Sequence, residues 1–333
     1  MRTLVIGAGP IGAYFAARLA EAGIDVTLHG RGPVLRHVAA HGLRLARQDG
    51  GQARTIPLPC MLSPPPEAGW EMVIFAVKAQ DLPAAARQFA RHVRDAVIVL
   101  PQNGLPWWQF LGTGAPPLRL HAVDPDGDAE RALPLERIAG CTVTKGLSFG
   151  PDATLVEAVV ASDLFALGDV VAGSGAADRP AHLLAGCGLP VRLAADIRLE
   201  KWRKLLINAA FNPLGAISHL GFGQVLDDAP GTWLAGQLME EALRVARACG
   251  LAEPIDTEAA FARARGSRRH KTSMLQDVEA GRRLELDPIL GALLELAAHH
   301  GLEVPTLRAI YACLRLIDLG LVEGPIQRRP ASA

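Results

Sequence analysis

Cysteines are few in this sequence, and none of them forms the closely spaced pairs that are typical of metal sites. The 333-residue chain has five cysteines, which lie far apart and form no CxxC motif. An odd, scattered set of thiols argues against both a zinc site and a disulfide framework. We therefore expect reduced thiols, no bound metal and a cytoplasmic protein.

An excess of charge and a long apolar run are absent as well. Lysine plus arginine equals aspartate plus glutamate at 34 residues each, so the formal net charge is zero. This balance provides no electrostatic surface for nucleic acid or for an anionic membrane. No apolar run approaches the ~18 residues that suggest a membrane span, and no targeting segment precedes the first strand-like pattern. The sequence thus predicts a soluble protein with neither nucleic acid nor membrane as a partner.

The order of the predicted elements indicates two domains. Half of the residues are hydrophobic and 20% are charged, which is typical of a folded globular protein, and the length suffices for two domains. Strand and helix patterns alternate over residues 1–195, which predicts an α/β dinucleotide-binding domain of the Rossmann type. From residue 196 to residue 333 the pattern is helical, which predicts an all-α domain. Such an arrangement favours a ligand site in the cleft between the two halves.

A glycine-rich turn follows the first predicted strand and opens the first predicted helix. The turn consists of Gly7, Ala8, Gly9, Pro10, Ile11 and Gly12. Its GxGxxG spacing, with a second strand arriving on schedule, predicts a dinucleotide site. The first glycine permits the tight turn, the second allows the backbone to approach the pyrophosphate, and the third lets the helix pack on the strand. The phosphates are then expected at the helix N-terminus, where free N–H groups point outward.

The end of the second predicted strand favours NADP(H) over NAD(H). NAD sites have a carboxylate there to bind the ribose 2′-hydroxyl, whereas NADP sites use an arginine near the 2′-phosphate. This chain has His29, Gly30 and Arg31 at that point and no carboxylate. Arg31 can form a charge-assisted hydrogen bond with a phosphate, although an arginine alone could be an ordinary surface residue. We therefore expect NADPH/NADP+ as the cofactor.

Polar residues also follow the next two predicted strands. Lys78 comes after the run MVIFAV, and Asn103 comes after the run AVIVLPQ. Residues just beyond the carboxyl ends of parallel strands line the ligand crevice of an open α/β sheet. Alone, Lys78 would be a surface lysine and Asn103 a turn residue. Their positions after consecutive strands predict contact with cofactor or substrate.

The first predicted helix of the second half lies within LEKWRKLLINAAFNPL and aligns one amine with two amides. Lys204, Asn208 and Asn212 are spaced by four residues, so they lie along one side of a helix. The residues around them are apolar, and a polar group buried in such surroundings is costly unless it has a partner. The alignment therefore indicates a binding or catalytic site.

A set of motifs occurs in one order along nearly the whole chain. It comprises the glycine-rich turn, VKAQ, QNG, KWRKLLINAAFNPL and SMLQDVEAGRRLELD, of which the last two are specific. In this combination the chain resembles the ketopantoate reductase family, the NADPH-dependent 2-dehydropantoate 2-reductases of pantothenate synthesis. The resemblance implies reduction of ketopantoate to (R)-pantoate with NADPH.

The resemblance also implies roles for the polar residues of the lysine helix. Lys204 falls on the family's general acid, and Asn208 and Asn212 fall on amides that hold the substrate. Hydride arriving at a ketone carbon leaves charge on the oxygen, and a nearby ammonium can donate a proton to it. Asparagines add neutral donors and acceptors that fix the substrate without adding charge.

Four further positions match functional residues of the family. Asn103 is expected to touch both substrate and nicotinamide, and Lys78 to contact the cofactor. Ser273 is expected to bind substrate, and Glu285 to lie where cofactor and substrate meet. In isolation, Ser273 could equally be a helix N-cap and Glu285 a surface acid. We expect Asn103 to face the helix of Lys204, with Ser273 and Glu285 on the same cavity.

Three features depart from the better-known members and leave the substrate open. No further asparagine follows Asn212 in LGAISHLGFG, and Lys145 stands where small residues are usual beside the nicotinamide. A long, loop-rich segment also contains Trp107-Trp108. The alternatives are a homologue that reduces another 2-oxo acid or an imine, and a non-catalytic NADP-binding regulator, which the intact set of functional residues disfavours. We expect a small-molecule 2-oxo acid as substrate, and a homodimer is a hypothesis.

Overall fold

The computed structural model describes residues 1–66, 69–113, 117–158, 163–252, 255–268 and 270–323. The chain divides into two units, Met1–Lys201 and Trp202–Ala333. The division lies within a long helix, a few residues beyond the expected boundary between residues 195 and 196. Across the described ranges, no helix combines the length and the apolar character needed to cross a membrane.

Strands and helices alternate through the described part of the first unit. The strands are β1 (Thr3–Ile6), β2 (Val26–His29), β3 (Leu43–Arg47), β4 (Arg54–Ile56), β5 (Cys60–Met61), β6 (Met72–Phe75), β7 (Val97–Leu100), β8 (Ile138–Thr144), β9 (Leu147–Phe149), β10 (Leu155–Glu157), β11 (Leu164–Asp169) and β12 (Val191–Leu193). The helices are α1 (Pro10–Glu21), α2 (Pro33–His41), α3 (Leu82–Phe89), α4 (Asp128–Ala132) and α5 (Asp178–Gly186). Short 3-10 turns cover Ala79–Asp81, Ala90–His92 and Leu135–Arg137.

Eight of the strands form one sheet in the order β12-β11-β8-β7-β6-β1-β2-β5. Neighbouring strands are parallel except for β8 and β11, which are antiparallel. The register sets Ile6 opposite His29 on one side and opposite Phe75 on the other. The carboxyl ends of β1, β2 and β6 therefore lie at one edge, which is where open α/β sheets bind ligands. The predicted Rossmann-like α/β class is confirmed for this unit.

Helix α1 packs closely on this sheet because its inner face carries small side chains. Ala13, Ala16 and Ala17 are buried, and the ring of Phe15 meets the ring of Phe165 edge to face at 5.3 Å between centroids. Strand β1 is buried on both faces, as expected for a central parallel strand. The helix that follows the glycine-rich turn is thus held rigidly against the middle of the sheet.

A second, smaller sheet has the order β4-β3-β10-β9 and is not evident from the sequence pattern. Its central pair joins β3 to β10 in parallel, with Leu45 opposite Leu155. In β3 the side chains of Leu43 and Leu45 are buried and that of Arg44 is exposed, so one face of the small sheet covers the core. Strands β4, β9 and β10 contact helix α1, which is therefore covered on two sides.

The described part of the second unit is helical, as the sequence predicts. The helices are α6 (Ile197–Ser218), which begins in the first unit, α7 (Phe222–Leu226), α8 (Ala229–Ala248), α9 (Thr257–Gly266), α10 (Ser273–Glu279), α11 (Ala292–His299) and α12 (Pro305–Glu323). Helix α11 ends at His299, and Gly301 just beyond it has a φ of +65°, which is typical of a glycine that follows a helix.

Two buried carboxylates connect the helices of the second unit. Glu241 of α8 accepts hydrogen bonds from the backbone N–H groups of Thr306 (3.0 Å) and Leu307 (2.8 Å) at the start of α12. Asp318 of α12 accepts a hydrogen bond from the backbone N–H of Leu284 at 2.8 Å. A carboxylate at a helix N-terminus satisfies free N–H groups and interacts favourably with the helix dipole. These bonds fix α12 against α8 and against the segment before α11.

The start of α11 differs from what its sequence suggests. Asp287 followed by Pro288 is typical of an N-cap with proline at the first helical position. In the structure Leu286 already has helical angles, and a π-helical turn spans Asp287–Gly291. The carboxylate of Asp287 accepts a hydrogen bond from the hydroxyl of Tyr311 at 2.6 Å. Asp287 is therefore not the N-cap that its sequence context suggests, and its side chain bonds to α12 instead of to its own helix.

Candidate cofactor and substrate site

The glycine-rich turn has the geometry of a phosphate cradle. Gly7 has a φ of +111°, and a Cβ there would lie 2.6 Å from the carbonyl carbon of Ala76. A Cβ on Gly12 would lie 1.9 Å from the carbonyl oxygen of Gly7, so only glycine lets α1 approach the turn. A Cβ on Gly9 would meet nothing within 4 Å in the described part of the chain. The backbone at Gly9 is thus open to a ligand at the N-terminus of α1, which fits a dinucleotide pyrophosphate.

At the end of β2, a buried histidine that supports the fold is followed two residues later by an exposed arginine. His29 is buried, and its Nδ1 lies 2.9 Å from the carbonyl oxygen of Met61. Burial lowers the pKa of His29, so its ring is neutral near pH 7. A Cβ on Gly30 would lie 2.8 Å from the Cβ of Ala8, so this strand end touches the glycine-rich turn. Arg31 follows immediately and is exposed, where a phosphate of a bound dinucleotide could reach it.

The side chain of Gln102 connects the ends of β6 and β7. Its Nε2 donates a hydrogen bond to the carbonyl oxygen of Phe75 and lies 3.4 Å from that of Val77. Lys78 directly follows Val77, and Asn103 directly follows Gln102. The side-chain amide of Gln102 therefore connects the two segments that carry these predicted ligand residues. Both side chains are half-buried.

A buried lysine that the sequence analysis did not identify binds the same loop. Lys201 is 3% exposed, and its Nζ donates hydrogen bonds to the carbonyl oxygens of Gln102 and Cys141, each at 2.7 Å. Lys201 and Asn103 line one small pocket together with Trp107. No signal in the sequence points to Lys201, because it lies among other charged residues at the start of α6, in the run IRLEKWRK.

The tryptophan pair of the long loop is part of the packing of the first unit. Trp107 and Trp108 are buried, and the guanidinium of Arg198 lies 5.3 Å from the centre of the Trp108 ring. Arg198 also donates hydrogen bonds to the carbonyl oxygens of Leu111 and Val170, each at 2.7 Å. The loop is therefore fixed to the start of α6 by backbone acceptors.

Lys145 is paired with carboxylates. Its Nζ lies 3.2 Å from Glu157 and forms a second ion pair with Asp163, and it stands 5.3 Å from the centre of the Tyr14 ring. Burial raises the pKa of Tyr14, which therefore stays neutral beside these charges. Two carboxylates neutralise the ammonium, so this residue links β10, the residue just before β11, and α1.

The predicted amine and amides of the second unit lie on one side of α6. Lys204 and Asn208 are half-buried, and Asn212 is 3% exposed. The Nδ2 atoms of Asn208 and Asn212 are buried, and no hydrogen-bond partner lies within reach of either among the described residues. A buried donor without a partner costs about 1–3 kcal/mol, so these two amides are available to a ligand.

Ser273 is the first residue of α10, next to α6. The N-cap of α10 is Thr272, whose Oγ1 accepts a hydrogen bond from the backbone N–H of Leu275 at 3.0 Å. A Cβ on Gly215 of α6 would lie 3.0 Å from that same Oγ1, so α10 begins against α6 about one turn beyond Asn212. Because Thr272 is the cap, the alternative of Ser273 as N-cap is wrong, and its exposed side chain is available.

Glu285 lies between two buried leucines on the segment that precedes α11. The backbone N–H of Leu284 donates to Asp318, and Leu286 is buried, which leaves Glu285 half-buried between them. The segment is therefore fixed through α12. Within their own units, the structure brings Asn103 close to the Lys78 segment and Ser273 close to the helix of Asn212.

The sequence also matches known proteins over most of its length. Models of ketopantoate reductase (PanE/ApbA) and of the ketopantoate reductase (PanE/ApbA) C-terminal region match residues 3–108 and 196–318. The 2-dehydropantoate 2-reductase of Mesorhizobium japonicum is 34% identical over 323 residues, which cover 95% of this chain and 97% of that protein. The chain belongs to the ketopantoate reductase family. The expected family membership and the assignment as an oxidoreductase are thereby confirmed.

Solved structures show that this member of the ketopantoate reductase family also shares its fold with known proteins. A crystal structure from Ralstonia solanacearum MolK2 has a TM-score of 0.86 and 29% identity, covering 96% of this chain and 98% of that one. The ternary structure of D-mandelate dehydrogenase with NADH and anilino(oxo)acetate has a TM-score of 0.81 and 20% identity, covering 96% and 99%. At that identity the second likeness shows the fold alone. One fold thus serves dehydrogenases that are named for different substrates.

Asn212→Leu should leave the free energy of unfolding of the unliganded protein unchanged or raise it by about 1 kcal/mol, because it removes an unsatisfied buried amide. Urea unfolding followed by tryptophan fluorescence measures this. Thr272→Val is the matched control, since it removes a buried polar group that does have a partner, and it should cost about 0.5–2 kcal/mol. A loss above about 1 kcal/mol for Asn212→Leu would mean that its amide supports the fold.

Proposed function

We propose that this protein catalyses the NADPH-dependent reduction of 2-dehydropantoate (ketopantoate) to (R)-pantoate in pantothenate and coenzyme A biosynthesis. The observation that carries the proposal concerns the amides of Asn208 and Asn212 on the helix of Lys204, whose buried nitrogens have no hydrogen-bond partner within the part of the chain that the structure describes. Buried donors need a partner. The substrate implied by the family is a small 2-oxo acid, whose carboxylate and ketone oxygens can accept hydrogen bonds from these two amides.

The cofactor side of the proposal assigns NADPH to the first domain, residues 1–195. The open backbone at Gly9 supports binding of the pyrophosphate at the N-terminus of α1, with the rest of the glycine-rich turn around it. Arg31 would bind the 2′-phosphate, and Lys78 would contact the cofactor. Bound NADPH supplies the hydride for the ketone carbon of the substrate.

The substrate side of the proposal assigns the 2-oxo acid to the second domain, residues 196–333. Asn208 and Asn212 hold the substrate through neutral hydrogen bonds, so they add no charge next to the reacting ketone. Lys204 keeps its proton until charge develops on the ketone oxygen and then donates it. The ammonium also stabilises that developing charge before the transfer is complete.

Three further residues complete the proposed site. Asn103 contacts both the substrate and the nicotinamide, and Ser273 binds the substrate through its exposed hydroxyl. Glu285 lies where cofactor and substrate meet, where it keeps Lys204 protonated or accepts a hydrogen bond from a substrate hydroxyl. These roles rest on the match to the family motifs.

A homologue with another 2-oxo acid or an imine as substrate is the second candidate, because the same fold occurs in D-mandelate dehydrogenase. The deciding experiment is NADPH oxidation with a panel that contains ketopantoate, straight-chain and aryl-substituted 2-oxo acids, and a cyclic imine. We expect the highest kcat/KM for ketopantoate. A higher value for another compound would move the assignment to that substrate, and no turnover with any of them would favour a non-catalytic NADP-binding regulator.

A homodimer through the helical unit is supported by an exposed apolar strip on α12. Leu316, Leu319 and Val322 recur every three residues there, and Leu316 is 70% exposed. Light scattering on the wild type should give the mass of a dimer, and Leu316→Lys with Leu319→Lys should shift it toward the monomer. A monomeric wild type would refute the hypothesis.

The exposed Arg31 leads to a prediction for cofactor preference. We expect kcat/KM to be at least about tenfold higher with NADPH than with NADH, because a charge-assisted hydrogen bond to phosphate contributes about 1.5–3 kcal/mol. Arg31→Ala should narrow this ratio mainly by weakening NADPH binding. Arg94→Ala is the matched control, because Arg94 is exposed near the amino end of β7, at the opposite edge of the sheet. Equal efficiency of the wild type with both cofactors would overturn the assignment.

Lys204→Ala should lower kcat far more than it weakens NADPH binding. General acid catalysis contributes ~10²–10⁴-fold, so we expect a loss of kcat in or above that range with the best substrate of the panel. Circular dichroism should show an intact fold, because Lys204 is only half-buried. Asn208→Ala should instead raise KM and reduce kcat less, since it positions the substrate.

Arg203→Ala is the matched control for the lysine prediction. Arg203 is the neighbouring cation on α6 and is exposed, so its loss should change kcat by less than about threefold, as expected for a surface residue. If Lys204→Ala kept turnover close to that of Arg203→Ala, the assignment of Lys204 as general acid would be wrong.

A further inference from the structure

Lys201 binds backbone carbonyls at the point where the pairing of β7 and β8 ends. The last paired residues of these strands are Leu100 and Gly140. Lys201 donates to the carbonyl oxygen of Cys141, which follows Gly140, and to that of Gln102, which lies two residues beyond Leu100. Both distances are 2.7 Å, within the range of charge-assisted hydrogen bonds. The ammonium of Lys201 thus connects the two chain segments just beyond the last backbone hydrogen bonds between β7 and β8.

Gln102 carries this connection to a third strand. Its carbonyl accepts from Lys201, while its side-chain amide donates to the carbonyl of Phe75 and lies 3.4 Å from that of Val77, at the end of β6. The next residue along the chain is Asn103, and Gly104 after it has a φ of +78°. The ends of β6 and β7 are therefore joined to each other, and through Lys201 to the middle of β8, by the residue that precedes Asn103.

The energetics of a buried ammonium suggest a purpose other than stability. Taking a charge out of water costs several kcal/mol, and hydrogen bonds to carbonyls offset that cost only in part, so an apolar side chain of similar volume is often as stable or more so. Lys201 is 3% exposed. What an apolar side chain cannot do is hold two carbonyls in one orientation.

We propose that Lys201 is a positioning residue that sets the conformation of the Gln102–Gly104 segment and thereby the direction of the Asn103 amide. This inference rests on the proposed function for its kinetic consequence, because Asn103 is the residue assigned there to substrate and nicotinamide. The conformational part stands on the hydrogen bonds alone. Lys201 acts through Asn103 and donates no proton in the reaction.

Arg198 provides a matched control one turn earlier on α6. It too is a partly buried cation that donates to backbone carbonyls, but its acceptors belong to Trp108, Gln109, Leu111 and Val170. None of these four carbonyls lies in the Gln102–Gly104 segment. Arg198→Met therefore removes a comparable cation without removing a partner of that segment.

Hydrogen–deuterium exchange of the full, unliganded chain tests the conformational part. In Lys201→Met, the amides of Gln102, Asn103, Gly104 and Leu105 should exchange at least about tenfold faster than in the wild type, since they lose a tertiary restraint. In Arg198→Met, faster exchange should appear near Leu111 and leave the Gln102–Gly104 segment unchanged. Unchanged exchange of that segment in Lys201→Met would refute the proposal. If Lys201→Met does not fold, Lys201→Gln, whose side chain is shorter and carries no charge, replaces it under the same criteria.

A double-mutant cycle tests the kinetic part with the 2-oxo acid that the wild type reduces best. Lys201→Met should lower kcat/KM by about 10- to 100-fold, the scale of a small misplacement of a positioning group. In an Asn103→Ala background the same substitution should have almost no further effect, because the two residues act as one unit. Independent, multiplicative losses would overturn the route through Asn103. A wild type that reduces no 2-oxo acid would instead refute the proposed function, while the exchange measurement would still decide the role of Lys201.

Discussion

The parallel register of β1, β2, β6 and β7 is the constraint on which the candidate site depends. Because these strands run in one direction, the turns that follow them come to one edge of the sheet. Arg31, Lys78 and Asn103 are far apart in sequence and reach that edge only through this register. Backbone carbonyls that the sheet leaves unpaired at its edge need donors, and Gln102 and Lys201 supply them. The hydrogen-bond demands of the fold thus create the framework around the predicted ligand residues.

Buried polar groups in this protein fall into two kinds. Glu241, Asp318 and Lys201 are satisfied by backbone groups, so they fix helices and loops. The amides of Asn208 and Asn212 lack partners among the described residues, so they cost stability in the unliganded chain. A protein keeps such groups where function outweighs stability. The contrast separates side chains that hold the structure from side chains that are available to a ligand.

Most of the features that set this chain apart from the usual family pattern are side chains that pack against, or pair with, other residues of the protein. Lys145 is neutralised by Glu157 and Asp163. Trp107 and Trp108 are buried in the first unit. A side chain that is already bound to protein partners contributes less to the choice of substrate. These departures therefore give little reason to move away from the family's substrate class.

The sequence alone was enough to predict the α/β and helical halves, the glycine-rich turn and the alignment of Lys204 with two asparagines, because all of these depend on local spacing. It also indicated the family, through motifs read in order. The pairing of β3 with β10 and the contacts of Lys201 with two backbone carbonyls became evident only from the tertiary structure. Those outcomes join residues distant in sequence, mostly through backbone carbonyl and N–H groups. Every residue carries these groups, so no pattern of side chains can reveal which of them will meet.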